Sequence, residues 1–212
     1  YYEQALKITR EIGDRAGEAT TFNNIGMIHH NLGNYQEALN YFEQALKITR
    51  EIGDRAGEGT TLNNIGLIHD KLGNYQEALN YYEQALKIRR EIGDRAGEAT
   101  TLNNIGGIHA KLGNYQEALN YYEQALKITR EIGDRAGEGI SLFNLGHIHW
   151  ALGEPERALR CWGASFRLAK ATGHGALLKA LEDLARQIGA PGLEFWEEIL
   201  AKLKPTEPNG AP

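Results

Sequence analysis

The chain has 212 residues, of which 24% are charged and 42% hydrophobic, and its net charge is −5. That balance excludes a disordered or fibrous polypeptide, and with no run of about 18 apolar residues no segment is expected to span a membrane. Lysine and arginine alternate with glutamate and aspartate instead of gathering, so nucleic acid is not an expected partner. The single cysteine, Cys161, cannot form an internal disulfide, which favours a reducing compartment such as the cytoplasm.

Residues 1–40 read YYEQALKITREIGDRAGEATTFNNIGMIHHNLGNYQEALN, and the string then starts again. Residues 41–80 match it at 34 of 40 positions, residues 81–120 match 41–80 at 35 of 40, and a fourth copy over 121–160 decays after Gly139. A fixed period of this length signals a solenoid, whose units bury one another's apolar faces. Tyr1 falls in the middle of a repeat, so the chain is expected to be a piece of a longer polypeptide.

In chain order, the first predicted element is a lone helix over 1–12, the half-hairpin of 1–13. Four hairpins of about 40 residues follow, completing an array over 1–173. The segment from Tyr35 to Ile52 is representative, with apolar or small residues at 35, 38, 39, 42, 45, 46 and 52, which is helical spacing. Asn34 and Glu37 predict a capping box at its start, and Gly53 can take the left-handed conformation that stops it. Asp54 then caps a helix running to about Lys71 and ending at Gly73. After residue 173 the repeat is lost. Leu177, Leu181, Leu184 and Ile188 share one helical face, as do Leu193, Trp196, Leu200 and Leu203 after Pro191, predicting a capping helix pair over 174–203. The last nine residues, KPTEPNGAP at 204–212, have nothing to bury and are expected to be disordered.

Ile65, Gly66, Ala78, Tyr82 and Ala85 stand at the spacing of the tetratricopeptide signature, with His69 where that signature carries Tyr. Over residues 1–172 the chain resembles the tetratricopeptide repeat family. Its period of 40 replaces the usual 34, the extra residues falling in KITREIGDRAGE. With NIG or NLG followed by GDRAGE, it is similar to a long-repeat subgroup that includes Pins-type adaptors and arrays attached to bacterial signalling NTPases. The resemblance implies an all-α fold, a right-handed α-solenoid of helix-turn-helix hairpins. It also implies a scaffold that binds a protein or an extended peptide segment in a concave groove lined by the first helix of each hairpin.

At 100° per residue, the first helix of a hairpin divides into two faces. Phe22, Ile25, Gly26, Ile28, His29 and Leu32 form the face expected to be buried. The opposite face carries Thr20, Asn23, Asn24, Met27, His30 and Asn31. Comparing copies singles out the same face. Met27 becomes Leu67, Gly107 and His147; His30 becomes Asp70, Ala110 and Trp150; Asn31 becomes Lys71, Lys111 and Ala151. Glu3, Gln4, Lys7 and Arg10, also expected to be exposed, do not vary. Asn23 and Asn24 recur as Asn63 and Asn64, Asn103 and Asn104, then Phe143 and Asn144. An amide offers donors and an acceptor and suits the backbone of an extended peptide, with Asn23 and its equivalents the better candidates. Asn24 and its equivalents have an alternative role, bridging neighbouring repeats. Trp150 and Phe143 are the candidate aromatic anchors.

No metal, cofactor or catalytic site is expected. His29, His69, His109 and His149 recur in parallel across helices roughly 10 Å apart and do not converge on one ion. The glycines match no phosphate loop, and Cys161 has no evident base partner. The expected role is therefore the sensor or adaptor part of a larger signalling protein, not an enzyme. Self-association through the N-terminal helix, end-to-end stacking into an assembly and an engineered consensus array remain open alternatives.

Overall fold

The structure, a computed structural model, describes residues 2–202 apart from the side chain of Glu3. Tyr1, Leu203 and the expected tail at 204–212 lie outside the described residues. Among the described residues there are eleven α-helices and no strand. In chain order they are α1 (Tyr2–Glu11), α2 (Arg15–Asn31), α3 (Tyr35–Ile52), α4 (Arg55–Lys71), α5 (Tyr75–Glu91), α6 (Arg95–Lys111), α7 (Tyr115–Glu131), α8 (Arg135–Ala151), α9 (Pro155–Thr172), α10 (Gly175–Gln187) and α11 (Leu193–Lys202). None is long and apolar enough to cross a membrane.

The turns follow from three-residue signals. Gly13, Gly33 and Gly53 all sit at positive φ, near 71–79°, where a side chain would be strained. Asp14 and Asp54 then accept from the amides of Gly17 and Gly57 at 2.8 and 2.9 Å and cap α2 and α4. A Cβ on Gly57 would lie 2.2 Å from the Asp54 carboxylate, so the string GDRAG encodes both the stop and the restart. The capping box expected at Asn34 does not form. Asn34, Asn74 and Asn114 occupy the N-cap without a side-chain bond to the helix. Their backbone amides instead close the preceding helix, Asn34 N–H donating to the His29 carbonyl at 2.9 Å.

The chain divides into two compact units, residues 1–108 and 109–212. In unit 1, α2 packs on α3, α3 on α4 and α4 on α5. Its core gathers Ala38, Leu39, Phe42, Leu46, Leu62, Ile65, Ile68, Ala85 and Ile88. Close approach depends on small residues: a Cβ on Gly26 would lie 2.6 Å from the Phe42 ring, and one on Gly66 2.8 Å from Tyr82. The expected buried face of α2 is only partly buried. Phe22, Ile25 and Gly26 are, but Ile28 is 40% exposed and Leu32 68%, whereas Ile68 is 0% exposed. Ile68 lies in the cluster with Ala38 and Leu39 from the first turns of α3, and α1 is too short to supply counterparts to those turns for Ile28.

In unit 2, α7 packs on α8 and α8 on α9, and both α10 and α11 pack on α9. Leu177, Leu181 and Leu184 are buried against Trp162, Phe166 and Trp196, with Ile188, Leu193 and Leu200 half-buried around them. Trp196 is fully buried and donates its Nε1–H to the Leu181 carbonyl at 2.8 Å, which satisfies the one polar atom of the ring. The copy-to-copy change from Phe42 or Tyr82 to Trp162 preserves the close packing on glycine: a Cβ on Gly146 would lie 2.3 Å from the Trp162 Nε1.

Candidate binding surface

The first helices of the hairpins carry the candidate residues. In unit 1, Asn24, Asn31 and Lys71 are exposed, while Asn23, Met27, His30, Asn63, Asn64, Leu67, Asp70, Asn103, Asn104 and Gly107 are half-buried. In unit 2, His147 and Trp150 are exposed, as is Lys111, while Ala110, Phe143 and Asn144 are half-buried. Part of this set also serves packing: Met27 lies against the unit 1 core, Ala110 against the α7–α8 core and Phe143 against the α9–α11 core.

The amides divide their work differently from expectation. Asn23 donates to Thr61 Oγ1 at 2.8 Å and accepts from the same hydroxyl at 3.2 Å, joining α2 to α4. Asn63 accepts from Thr101 at 3.3 Å and from Asn104 at 3.0 Å, joining α4 to α6. The bridging role expected of Asn24 and its equivalents therefore falls largely to Asn23 and Asn63, with Asn104 as the donor in one bridge. Asn24 itself is left exposed.

A second network lies in the segment GDRAGE. Glu18, with a side chain 6% exposed, accepts from Arg10 Nε at 2.8 Å and also from Arg15, whose other nitrogen reaches Glu51 at 2.6 Å. Glu58 repeats the arrangement with Arg50 at 2.9 Å and Arg55 at 2.5 Å, and Arg55 reaches Glu91 at 2.6 Å. Arg90, Arg95 and Glu98 do the same in α5–α6, and Arg130 with Glu138 in unit 2. Burial pushes the Glu18 carboxyl up, but hydrogen bonds and charge from Arg10 and Arg15 outweigh it and hold its pKa below the usual carboxylate value. The invariance of Arg10 thus has a structural cause, as does that of Gln44 and Gln84, which bond back to the Asn40 and Asn80 carbonyls. The side chain of Glu3 lies outside the described residues.

The histidines are ring-packing residues. His29 stacks on Tyr41, His69 on Tyr81 and His109 on Tyr121, with centroids 5.2–5.3 Å apart. In the fourth copy Cys161 replaces the tyrosine, and His149 instead hydrogen-bonds Glu154 at 2.7 Å. Burial, opposed by Arg130 and Arg157, pushes the Cys161 thiol up to about 11, so it is not a thiolate at neutral pH.

The candidate face of α8 differs from those of α2, α4 and α6 in carrying phenylalanine and tryptophan rings. Phe143 and His147 meet edge to face at 4.6 Å, His147 meets Trp162 at 5.3 Å, and Trp150 lies over Trp162 at 5.7 Å. Trp162 Nε1 donates to the Phe143 carbonyl at 3.1 Å and fixes the buried ring beneath the exposed ones. Desolvation by these neighbours lowers the His147 pKa even though one edge of the residue meets solvent.

These paired helices match the family model for the tetratricopeptide repeat over residues 1–51, 17–91 and 97–171. The chain belongs to the tetratricopeptide repeat family. As a tetratricopeptide protein it is a protein-interaction scaffold of helical repeats. No curated protein sequence matches it. Among solved structures it is similar to BtubC (BKLC) from P. vanneervenii, at 25% identity and a TM-score of 0.72, over 81% of this chain and 72% of that one. It is also similar to aspartyl phosphate phosphatase F from Bacillus subtilis, at 17% identity and a TM-score of 0.78, over 95% of this chain and 52% of that one. A third likeness is to a signal transduction ATPase with numerous domains and a tetratricopeptide repeat sensor, from Pyrococcus horikoshii. Identity there is 23% and the TM-score 0.72, over 95% of this chain and 32% of that one. The chain therefore spans about half of the phosphatase and a third of the ATPase. Two features of this tetratricopeptide chain escaped the sequence reading, the Arg–Glu–Arg network and the buried Trp162 under the aromatic face. The first was signalled by an unvarying Arg-x-x-Glu in every copy, two charges one helical turn apart.

Proposed function

We propose that the exposed faces of α2, α4 and α6 in unit 1 and of α8 in unit 2 bind a protein or an extended peptide segment. The observation that carries this is the exposed aromatic stripe of α8. Trp150 is 47% exposed, on a helix whose other large apolar residues are mostly buried. Exposed aromatic side chains on a firm floor are the type that dominates binding energy. Variation among copies supports the same faces. Positions 27, 30 and 31 change size and charge from copy to copy, while Arg10, Arg50, Arg90 and Arg130 are held by ion pairs within the fold. Met27, Leu67, His30, Asp70, Lys71, Lys111, His147 and Trp150 would set specificity, and Asn24 and Asn64 would meet the partner's backbone.

In this reading the chain is the sensor or adaptor part of a larger, cytoplasmic signalling protein and has no catalytic role. The likeness to an ATPase with a tetratricopeptide sensor supports it, as does the likeness to a Rap protein complexed with competence and sporulation factor. The test is a peptide library screened on the full chain, followed by calorimetry. Trp150→Ala should weaken the selected peptide by about 2 kcal/mol or more, the scale of a hot spot. Lys7→Ala and Glu43→Ala, on the second helices, should leave binding within about twofold of the parent. Loss of binding in the second-helix variants with none in Trp150→Ala would reverse the assignment.

A second reading, self-association, is favoured by exposure on α1 and α2. Ile8 and Ile28 are 50% and 40% exposed, where Ile48 and Ile68 are 4% and 0%. Sedimentation equilibrium should show a concentration-dependent dimer that Ile8→Glu abolishes; a strict monomer at all concentrations removes this reading.

A further inference from the structure

In unit 2 the fourth copy departs from the other three at four positions around the C-terminal end of α8. Asn31, Lys71 and Lys111 give way to Ala151; Asn34, Asn74 and Asn114 to Glu154; His30, Asp70 and Ala110 to Trp150; Met27, Leu67 and Gly107 to His147. A helix C-terminus carries partial negative charge on its free carbonyls. In α4 and α6 a lysine in the last turn answers it. In α8 the only basic residue of the last turn is His149, which is committed to Glu154 at 2.7 Å.

The same end gains a carboxylate. Hydrogen bonding from His149, with Arg157 assisting against some burial, lowers the Glu154 pKa and keeps it ionised at neutral pH. Arg157 approaches Glu154 at 3.3 Å, but its side chain is 68% exposed, and such pairs are weak and easily exchanged. Trp150, the penultimate residue of α8, brings an aromatic ring to the same end. The exposed Trp150 ring is held on Trp162, and His147 stands edge-on to Phe143. Aromatic faces attract cations. The lowered pKa of His147 keeps that imidazole neutral, so it does not repel one. Unit 2 already makes such a contact elsewhere, Lys170 Nζ lying 6.0 Å from the Phe166 ring centre.

We propose that the C-terminal end of α8 is a subsite for a cationic side chain, a lysine or arginine of the bound segment, laid against the Trp150 ring. This rests on the α8 face being a binding surface and adds the chemistry of what it takes at that end.

The fold supplies its own reporter. Of the three tryptophans, Trp162 and Trp196 are fully buried and Trp150 alone is exposed. The full chain would be titrated with choline and with 3,3-dimethylbutan-1-ol, its uncharged isostere, reading tryptophan emission. Choline should give a saturable change and bind about threefold or more tighter than the alcohol, as expected of an exposed cation–π contact. Ala151→Lys, which restores the lysine of the second and third copies, should abolish the choline response and leave the unfolding midpoint unchanged. Equal responses to choline and the alcohol, no response to choline, or a choline response that survives Ala151→Lys would each overturn the proposal. An uncharged peptide that binds α8 and is released by Trp150→Ala would overturn the cationic subsite and keep the binding surface. Choline binding with no peptide selected on α8 would do the reverse.

Discussion

Arg89 stands where Thr9, Thr49 and Thr129 stand in the other copies, so Arg89→Thr measures the cost of one departure from the repeat. The side chain is 10% exposed, and Nη1 donates to Asp94 at 3.1 Å. Its Nε is buried with no acceptor. Burial lowers the Arg89 pKa and Asp94 offsets only part of that, which is the mark of a charge held where it is poorly solvated. An unsatisfied buried donor costs about 1–3 kcal/mol. The ion pair that would be lost ends on a carboxylate 41% exposed and contributes about 0–1 kcal/mol. Threonine would donate to the carbonyl one turn back, as Thr49 does to Leu46 and Thr129 to Leu126, both at 3.0 Å. Such a bond adds about 1 kcal/mol. Arg89→Thr should therefore stabilise the protein by about 1–3 kcal/mol, which raises the unfolding midpoint by about 2–4 °C per kcal/mol for a chain of this size. Thermal and urea unfolding followed by far-UV circular dichroism would measure it, and amide exchange in α5 and α6 would localise it. A variant no more stable than the parent would refute the reasoning, since the orphaned Nε would then carry no cost.

Glu58→Gln should destabilise by about 1–3 kcal/mol, because two arginines lose their shared carboxylate, and urea unfolding would read the loss. The Glu18 carboxyl has its folded pKa below its unfolded one, so its contribution is complete above the ordinary carboxylate value of 4.5 and fades as pH falls through the folded value. Acid unfolding of Glu18→Gln should accordingly show a shallower loss of stability below about pH 4.5 than the parent. Gly66→Ala should cost about 1–3 kcal/mol, since the added methyl meets the Tyr82 ring at 2.8 Å, and Tyr82→Leu in the same chain should recover part of it. Ending the chain at residue 173 should uncover Trp162 and Phe166 on α9 and lower solubility; a truncated monomer as stable as the parent would remove the capping role of α10 and α11.

Most of the helical plan was legible because it rests on local signals. The period, the glycines at 13, 33 and 53 and the aspartates at 14 and 54 act within one turn, and the structure uses them as the sequence suggests. The capping box at Asn34 was misread because the same turn offers its amide a competing partner, the His29 carbonyl. Ile28 and Leu32 were assigned to the core from their place on the wheel. Burial depends on what lies across the interface: α1 is too short to cover Ile28, whereas Leu32 shares its exposure with Leu72, Leu112 and Leu152, which stand just beyond the helix end in every copy. For the candidate surface, the wheel identified the face but could not apportion its amides. Whether Asn23 turns outward or toward Thr61 is decided by a residue 38 positions away, which no helical pattern encodes.

The fourth copy shows the same limit from the other side, because its replacements make sense only in pairs. Loss of the tyrosine at Cys161 removes the ring on which His149 would stack, and Glu154, in place of asparagine, supplies a carboxylate 2.7 Å from that histidine. Trp162 in place of tyrosine puts a larger ring over Gly146, and its Nε1 reaches the Phe143 carbonyl, a bond no phenol or phenyl ring at that position could donate in the same way. That bond lies beneath the exposed face, so the exposed rings of His147 and Trp150 rest on a fully buried one. Changes confined to His147 and Trp150 should thus alter what unit 2 binds with little effect on its stability, whereas a change at Trp162 alters both. The two effects separate because Trp162 is fully buried and Trp150 is not.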